Sequence, residues 1–315
     1  PITSNTRELY VSPIMVTDRS KDKNYVSAVD QFLYDSANVG VNETRDGFIY
    51  RLDNSPEDEA VDKCTVIRAT ALDEHGLYTK ATTNTYYIGD MKEHIKGIEE
   101  SSKAAGTSLA IISLTMDYED LFDEKEGIYV KGEVFDRALE RHLASGEKLT
   151  DHTSRELEAN YNQRGRQWER NAHIDYFQSD GTTTSFQLQQ DCGIRIQGNY
   201  SRSDLQKGFR LFAREDYGEK NFKYPFFGED LKDDYGNTIS KFKTLVLRNG
   251  GNCAFTSKFN DTYWQSLIKE LAPDTQTSRP CVLYINGEYW GLYVLQEDYK
   301  EEYFENKHWV NKKDV

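Results

Sequence analysis

Residues 193–214 read GIRIQGNYSRSDLQKGFRLFAR, and this stretch carries the strongest structural signal in the chain. Two short runs of alternating apolar and polar residues flank a turn that contains Gly198, Ser201 and Arg202, and the second run opens at Lys207. The pattern predicts two antiparallel strands joined by a turn. Glycine lets a backbone approach a ligand closely and lysine supplies a point charge, so the turn suits a phosphate group. A β-hairpin whose polar side chains face water explains the same residues.

The composition limits the classes of protein that fit. The chain has 315 residues, enough for two domains of about 100–200 residues each. No apolar run of about 18 residues is present, so the sequence predicts no membrane span. A net charge of −14 argues against nucleic-acid binding, which requires clustered lysines and arginines. An aromatic fraction of 13% is common in proteins outside the cell and equally fits an ordinary solvated surface.

The sequence predicts no metal site. The four cysteines contain no CxxC pair, which argues against zinc and favours buried free thiols over disulfides. The acidic residues between 117 and 126 do not have the spacing of an EF-hand loop and are expected to form a solvated loop. The six histidines show no metal-ligand spacing.

Residues 1–90 are predicted to form an all-β sandwich module. TVIRATAL (65–72) and TNTYYIG (83–89) read as short strands, and turn residues lie between them. Residues 91–107 are charged and rich in serine, alanine and glycine, so this segment is expected to be a linker or a short helix. A second domain is predicted over residues 108–315.

The second domain begins with the buried strand LAIISLT (109–115). Further strands are predicted over WERNAHIDYFQ (168–178), TSFQLQQDCGIRIQG (184–198) and FKTLVLRN (242–249). Residues 136–165 are charged and only weakly periodic, and we expect a loop with helical turns there.

The C-terminal part predicts a helix, a hairpin and a second helix. Residues 257–271 place four apolar side chains at helical spacing, namely Trp264, Leu267, Ile268 and Leu271. PCVLYI (280–285) and EYWGLYVLQE (288–297) are joined by Asn286-Gly287, the strongest short signal for a type I′ hairpin. Residues 298–307 then begin another helix.

The order of these elements resembles the small lobe of a protein kinase. Such a lobe is α+β, with a mostly antiparallel sheet, a covering turn over the nucleotide phosphates and a helix packed behind. By this comparison Asp261 or Glu270 of the helix would pair with Lys207, unless both are solvated charges. The chain leaving the last strand, Gln296-Glu297-Asp298, would lie against the adenine.

Several separated motifs resemble the spore-coat CotH-type kinase family, including its extracellular bacterial members. They occur in the family's order and are GIRIQGNYSR, QKGFRLFARED, FKTLVLRNGGN and VLYINGEYWGLYVLQEDY. GIYV (127–130) and NYNQRGRQWERNAHIDYF (160–177) resemble the segments that precede those motifs, so the resemblance covers roughly residues 108–315. The N-terminal module is similar to the chitobiase C-terminal-type β-sandwich, which would make carbohydrate a possible partner.

The resemblance implies a secreted or surface-associated protein kinase fold that binds ATP with Mg or Mn and acts on extracellular proteins. Lys207 would carry the phosphates and Arg202 would assist, while Gly198 to Ser201 would form the covering turn. The remaining cofactor-binding residues implied are Arg248 and Asn249 at the phosphates or pocket wall, and Gln296 and Glu297 at the base.

The chain also departs from the family. The family's metal-binding and catalytic aspartates lie C-terminal to the hairpin, and no matched position here carries them. We therefore expect the ATP-binding portion of such a kinase, with the C-terminal lobe missing and no complete catalytic machinery. The alternatives are a non-catalytic surface binding or adhesion protein with a kinase-like fold, and a carbohydrate-active enzyme.

Overall fold

The computed structural model describes residues 6–27, 56–89, 91–147, 155–254, 256–271 and 274–315. The strands within these ranges are β1 (Thr65–Ala69), β2 (Thr82–Tyr86), β3 (Ala110–Met116), β4 (Arg170–Ser179), β5 (Thr184–Gln197), β6 (Gly208–Phe212), β7 (Phe222–Lys223), β8 (Lys241–Phe242), β9 (Thr244–Arg248), β10 (Ser278–Ile285) and β11 (Glu288–Glu297). The α-helices are α1 (Met91–Ala105), α2 (Tyr118–Phe122), α3 (Gly132–Ala144), α4 (Asn260–Ile268) and α5 (Glu301–His308). None of these helices is long and apolar enough to cross a membrane.

Seven of the strands close into a barrel in the order β3-β4-β5-β6-β9-β11-β10. Neighbouring strands are antiparallel except at the seam, where β10 runs parallel to β3 and Val282 lies opposite Ile111. The prediction of an α+β protein is confirmed. Closure leaves no free edge in this sheet, whereas an open sheet exposes unpaired backbone groups at both edges.

The barrel interior forms the main hydrophobic core. Side chains of a strand alternate between the two faces of the sheet, so every second residue points inward. Ile194 lies opposite Leu211 and Ile196 opposite Phe209, and all four are buried in the core. The residues between them, Arg195 and Arg210, therefore lie opposite each other on the outside of the barrel.

The N-terminal residues pack against the outside of the barrel. β1 and β2 form a two-stranded sheet, and the Thr85 hydroxyl of β2 donates to Asp175 of β4 at 2.6 Å. The Cys64 N–H bonds to the Gly287 carbonyl at 2.7 Å. Part of the predicted module lies outside the described residues, so the β-sandwich and the domain boundaries remain predictions. The segment predicted to be a linker or a short helix forms helix α1 over Met91–Ala105.

Local signals predicted several elements correctly. Asn286 and Gly287 have φ of +50° and +88°, the two positive values that a type I′ turn requires. All four cysteines are free thiols, and three of them are buried. The expectation of a loop from residue 136 was wrong at its start, because α3 forms there and buries Phe135 and Leu139 in the core.

Helix α4 confirms the helix predicted over residues 257–271, but its apolar stripe is not packed. The helix buries none of its residues, and Trp264 is 62% exposed. Helical periodicity predicts which residues share a face, and it cannot show which face meets the protein.

Candidate functional site

The strand register brings polar residues together on the outside of the barrel. Arg195 of β5 lies opposite Arg210 of β6, Arg210 opposite Val246 of β9, and Val246 opposite Gln296 of β11. Arg248 is two residues beyond Val246 and shares its face. We call these five residues the arginine face. Two of them, Arg248 and Gln296, were predicted as site residues from the sequence.

At one end of the arginine face, Arg248 makes an ion pair with helix α4. Its Nη1 lies 3.2 Å from Oδ2 of Asp261. Asp261 therefore pairs with Arg248, and the expected pairing with Lys207 is wrong for this residue. The side chain of Glu270, the other predicted partner, lies outside the described residues. The pair connects the first turn of α4 to β9.

The glycine turn between β5 and β6 lies at the same end of the strands. Gly198 has φ of +115°, a conformation that side chains rarely adopt, and a Cβ there would collide with Ser201 Oγ. Arg202 lies in the 3-10 helix that follows and is only 8% exposed. Its Nε donates to the Gly198 carbonyl at 2.7 Å and its Nη1 to the Tyr161 carbonyl at 2.8 Å.

Arg202 lies near three other arginines, two of which, Arg195 and Arg210, are paired with carboxylates. Its hydrogen bonds within the described residues all reach carbonyl oxygens, and none reaches a carboxylate. Burial, together with the charges of Arg164, Arg210 and Arg195, lowers the pKa of Arg202 to about 10. A buried cation without a matching anion is unfavourable. The turn is thus a place where a bound anion would be stabilised.

Lys207 lies apart from the arginine face. It is 3% exposed, and its Nζ donates to the Asp204 carbonyl at 2.7 Å. The ammonium also lies 4.1 Å from the centre of the Tyr161 ring and 5.1 Å from that of Tyr129, at cation–π distance. The side chain therefore lies against two rings of the hydrophobic core. Its contact with a phosphate remains a prediction.

Asn249 belongs to a buried network that connects the turn to the loop before α4. Its Nδ2 donates to the Gln206 carbonyl at 2.6 Å and lies 3.4 Å from Asp204 Oδ2. Arg155 also pairs with Asp204, yet burial raises the pKa of that carboxyl above its usual value. Lys258 Nζ donates to the Asn249 carbonyl at 3.2 Å. The geometry suits Asn249 for positioning the loop.

The other end of the arginine face is acidic. Arg210 Nη2 donates to Asp298 Oδ1 at 2.8 Å. Glu297 Oε2 accepts the Thr277 N–H at 2.8 Å, and burial raises the pKa of Glu297. A small pocket opens here between the barrel and α5. Its lining residues are Phe242, Lys243, Thr244, Glu297, Asp298, Glu302, Tyr303 and Asn306.

Sequence reasoning missed Arg195 and Arg210. A signal was present, since each alternates with core residues along its strand, Arg195 with Ile194 and Ile196, and Arg210 with Phe209 and Leu211. Alternation alone places both arginines on the outer face. It does not reveal that β9 and β11 continue that face.

The described residues hold no group of three or more His, Cys, Asp or Glu side chains placed to bind a metal ion. Within the described residues, each arginine of the arginine face is paired with a carboxylate, Arg195 with Glu169, Arg248 with Asp261 and Arg210 with Asp298. The residues therefore do not fit a divalent metal by themselves.

The comparison with protein families bears directly on this region. Residues 194–315 match the family model described as CotH kinase protein. The match begins in β5 and includes the glycine turn, β9, α4, the Asn-Gly hairpin and the acidic exit from β11. No curated protein matches the chain. The CotH-type match supports a kinase-like function for this segment, which contains all five residues of the arginine face.

Proposed function

We propose that the arginine face binds ATP and that this chain is the ATP-binding portion of a CotH-type protein kinase. The ion pair between Arg248 and Asp261 carries the proposal. In protein kinases a strand lysine paired with a helix glutamate sets the nucleotide phosphates in place. Here the strand immediately before the helix supplies an arginine and the helix supplies an aspartate, and the strand ends on the same side of the barrel as the glycine turn.

The polarity of the face supports one orientation of the nucleotide. Arg248, Arg202 and the Gly198 turn form the positive end, which suits the phosphates. Asp298 lies at the acidic end, and Thr244 of β9 lines the pocket there. Thr244 and Arg248 are four residues apart on β9, or roughly 13 Å at the rise of a strand. An extended nucleoside triphosphate spans such a length.

The CotH-type match suggests use of a divalent metal with the nucleotide, and Mg or Mn bound to ATP would neutralise phosphate charge. Because the described side chains do not fit such an ion, we assign no step to it. Arg248, Arg202 and the turn would bind and orient the phosphates. We assign phosphoryl transfer to no residue of the described ranges.

The wider setting follows from the resemblance. We propose that the protein is extracellular or located at the cell surface, that its substrates are extracellular proteins, and that residues 1–90 form a β-sandwich module able to contact carbohydrate. The location and substrate class rest on the similarity of the motifs to extracellular members of the CotH-type family, and the β-sandwich rests on the similarity of residues 1–90 to the chitobiase C-terminal-type module.

The test is a thermal-shift titration of the whole chain with ATP, alone and with Mg²⁺ or Mn²⁺. We expect ATP to raise the melting temperature of the wild type and of Arg137→Met, a control arginine exposed on α3. Arg248→Met should abolish most of the shift. If ATP leaves the wild-type melting temperature unchanged with either metal, the proposal is wrong and a non-catalytic binding role is favoured.

A further inference from the structure

Helix α4 and the 3-10 turn that follows it carry an apolar stripe on their outer side. The stripe consists of Tyr263, Trp264, Leu267, Ile268 and Leu271, which are between 40% and 77% exposed. Helical spacing places these residues side by side along the helix. We call them the α4 stripe. Contiguous apolar side chains that remain exposed in this way mark a surface that binds another molecule.

The side of α4 that meets the rest of the protein is polar. Within the helix only Thr262 and Gln265 are partly buried, and every other residue is exposed. Gln265 Oε1 accepts the Gln276 N–H at 2.6 Å, and Asp261 pairs with Arg248. A surface helix usually packs its apolar side on the protein and turns its polar side to water. The reversal in α4 leaves the α4 stripe without a packing partner among the described residues.

The chemistry of the α4 stripe suits a second copy of the same stripe. None of its five residues is charged, so two copies can meet on this side without like-charge repulsion. The rings of Tyr263 and Trp264 lie with their centres 5.9 Å apart, and tyrosine and tryptophan are enriched among the residues that contribute most to binding at interfaces. A two-fold axis brings the same patch of both copies together. A patch that is apolar throughout is therefore complementary to itself.

The exposed area of the α4 stripe is large enough for a reversible dimer. At their exposures, the five residues present roughly 600 Å² per copy, because a fully exposed aromatic residue alone offers up to about 250 Å². Two copies would therefore bury roughly 1,200 Å² in total, which is the lower end of the area buried in specific protein interfaces.

We propose that the α4 stripe is a two-fold interface between two copies of this chain, and that the pairing holds the helix whose Asp261 binds Arg248. The interface rests on the exposed stripe, whereas its effect on ATP binding rests on the proposed function. Since α4 buries none of its own residues, packing against a second helix would restrict its position further. Such preorganisation strengthens binding, so the dimer should bind ATP more tightly than a single copy.

Analytical ultracentrifugation of the whole chain tests the interface. We expect the wild type to change from monomer to dimer between about 1 and 100 μM, the range of a small interface. Leu267→Glu places a charge in the middle of the α4 stripe and should weaken dimerisation at least about tenfold. Leu77→Glu, at a leucine that is 66% exposed outside the stripe, is the matched control and should dimerise like the wild type. Both leucines are exposed, so neither substitution places a charge in the core.

Calorimetric titration with ATP tests the effect of the dimer on the nucleotide site. The titration is done at a protein concentration at which the wild type is a dimer. We expect Leu267→Glu to bind ATP several-fold more weakly than Leu77→Glu, because α4 is then held only by the contacts within one copy.

The outcomes separate the interface from the proposed function. A wild type that stays monomeric over the whole range overturns the interface, and so does a Leu267→Glu variant that dimerises like the wild type. Equal ATP affinity of the two variants, despite different dimerisation, overturns the effect on the nucleotide site and leaves the interface standing. A wild-type dimer that binds no ATP overturns the proposed function and also leaves the interface standing. The wild-type measurement does not depend on either variant folding.

Discussion

Nη1 of Arg248 lies 3.2 Å from Oδ2 of Asp261, and this ion pair joins strand β9 to helix α4. A second polar contact, from the Gln276 N–H to Gln265 Oε1 at 2.6 Å, holds the same helix to the segment before β10. Since α4 buries none of its residues, such polar contacts are important in setting its position. In the proposed site, Arg248 serves both the helix and the phosphates.

The first prediction concerns Asp261→Asn. Both partners are partly exposed, so loss of the pair should lower the free energy of unfolding by only about 0.2–1 kcal/mol. ATP affinity should fall several-fold, because Arg248 is no longer held. Isothermal titration calorimetry checks the affinity, and Glu133→Gln, which removes an exposed pair with Arg137, is the control. Unchanged ATP affinity in Asp261→Asn would show that the ion pair between Arg248 and Asp261 does not contribute to ATP binding.

The second prediction separates two roles of Lys207. Its ammonium is enclosed by Tyr161, Tyr129 and the Asp204 carbonyl, so Lys207→Met should lower the free energy of unfolding by about 1–3 kcal/mol. Urea denaturation measures this change. Where the variant remains folded, we expect ATP affinity close to that of the wild type. Lost affinity with unchanged stability would instead indicate direct phosphate contact, the role that the sequence predicts.

Local patterns predicted much of this fold. The Asn286-Gly287 turn, the long strands and the last helices follow from short-range signals. The closure of the barrel does not, because the parallel pairing of β3 with β10 joins segments far apart in the chain. The inward direction of Lys207 was equally hidden. It depends on the contacts of the Lys207 ammonium with the Tyr129 and Tyr161 rings, which are distant in sequence. The local sequence around the glycine turn does not indicate which way the lysine side chain points.

The third prediction concerns Gly250, which lies between β9 and α4 with φ of +108°. A Cβ there would lie 2.9 Å from the Cα of Ala254 and 3.0 Å from that of Lys258, so the backbone would have to move. We expect Gly250→Ala to lower the free energy of unfolding by about 1–3 kcal/mol and to weaken ATP binding.

The matched control is Gly236→Ala. Gly236 also has a positive φ, +84°, but a Cβ at this position would meet no atom within 4 Å, so only the backbone conformation is penalised. Chemical denaturation of both variants gives the comparison. An equal loss of stability in the two variants would show that the contacts of a Cβ at position 250 with Ala254 and Lys258 cost no additional free energy of unfolding.

The fourth prediction is a pH dependence centred on His173. Its Nδ1 lies 2.6 Å from Asp191 and its Nε2 3.3 Å from Asp175, beneath the β1–β2 sheet. Burial lowers the pKa of His173, but hydrogen bonds and charges from the two aspartates outweigh it and raise the pKa above 6.5. The imidazolium therefore stabilises the fold below pH 6.5, and this contribution is lost as pH rises through the raised pKa.

Urea denaturation between about pH 5 and pH 9 tests this dependence. The difference in free energy of unfolding between the wild type and His173→Gln should be largest in acid and shrink as pH rises. His75→Gln, at an exposed histidine, is the control variant. A difference that grows with pH would show that His173 is buried as the neutral form.

Hydrogen–deuterium exchange with and without ATP and Mg²⁺ tests the central claim most directly, because it reports where the nucleotide binds. Binding at the arginine face predicts slower exchange in residues 198–212, 244–252 and 296–302, and unchanged exchange in β1 and β2 on the other side of the barrel. Protection confined to segments outside the arginine face, or no protection at saturating ATP, would contradict the account.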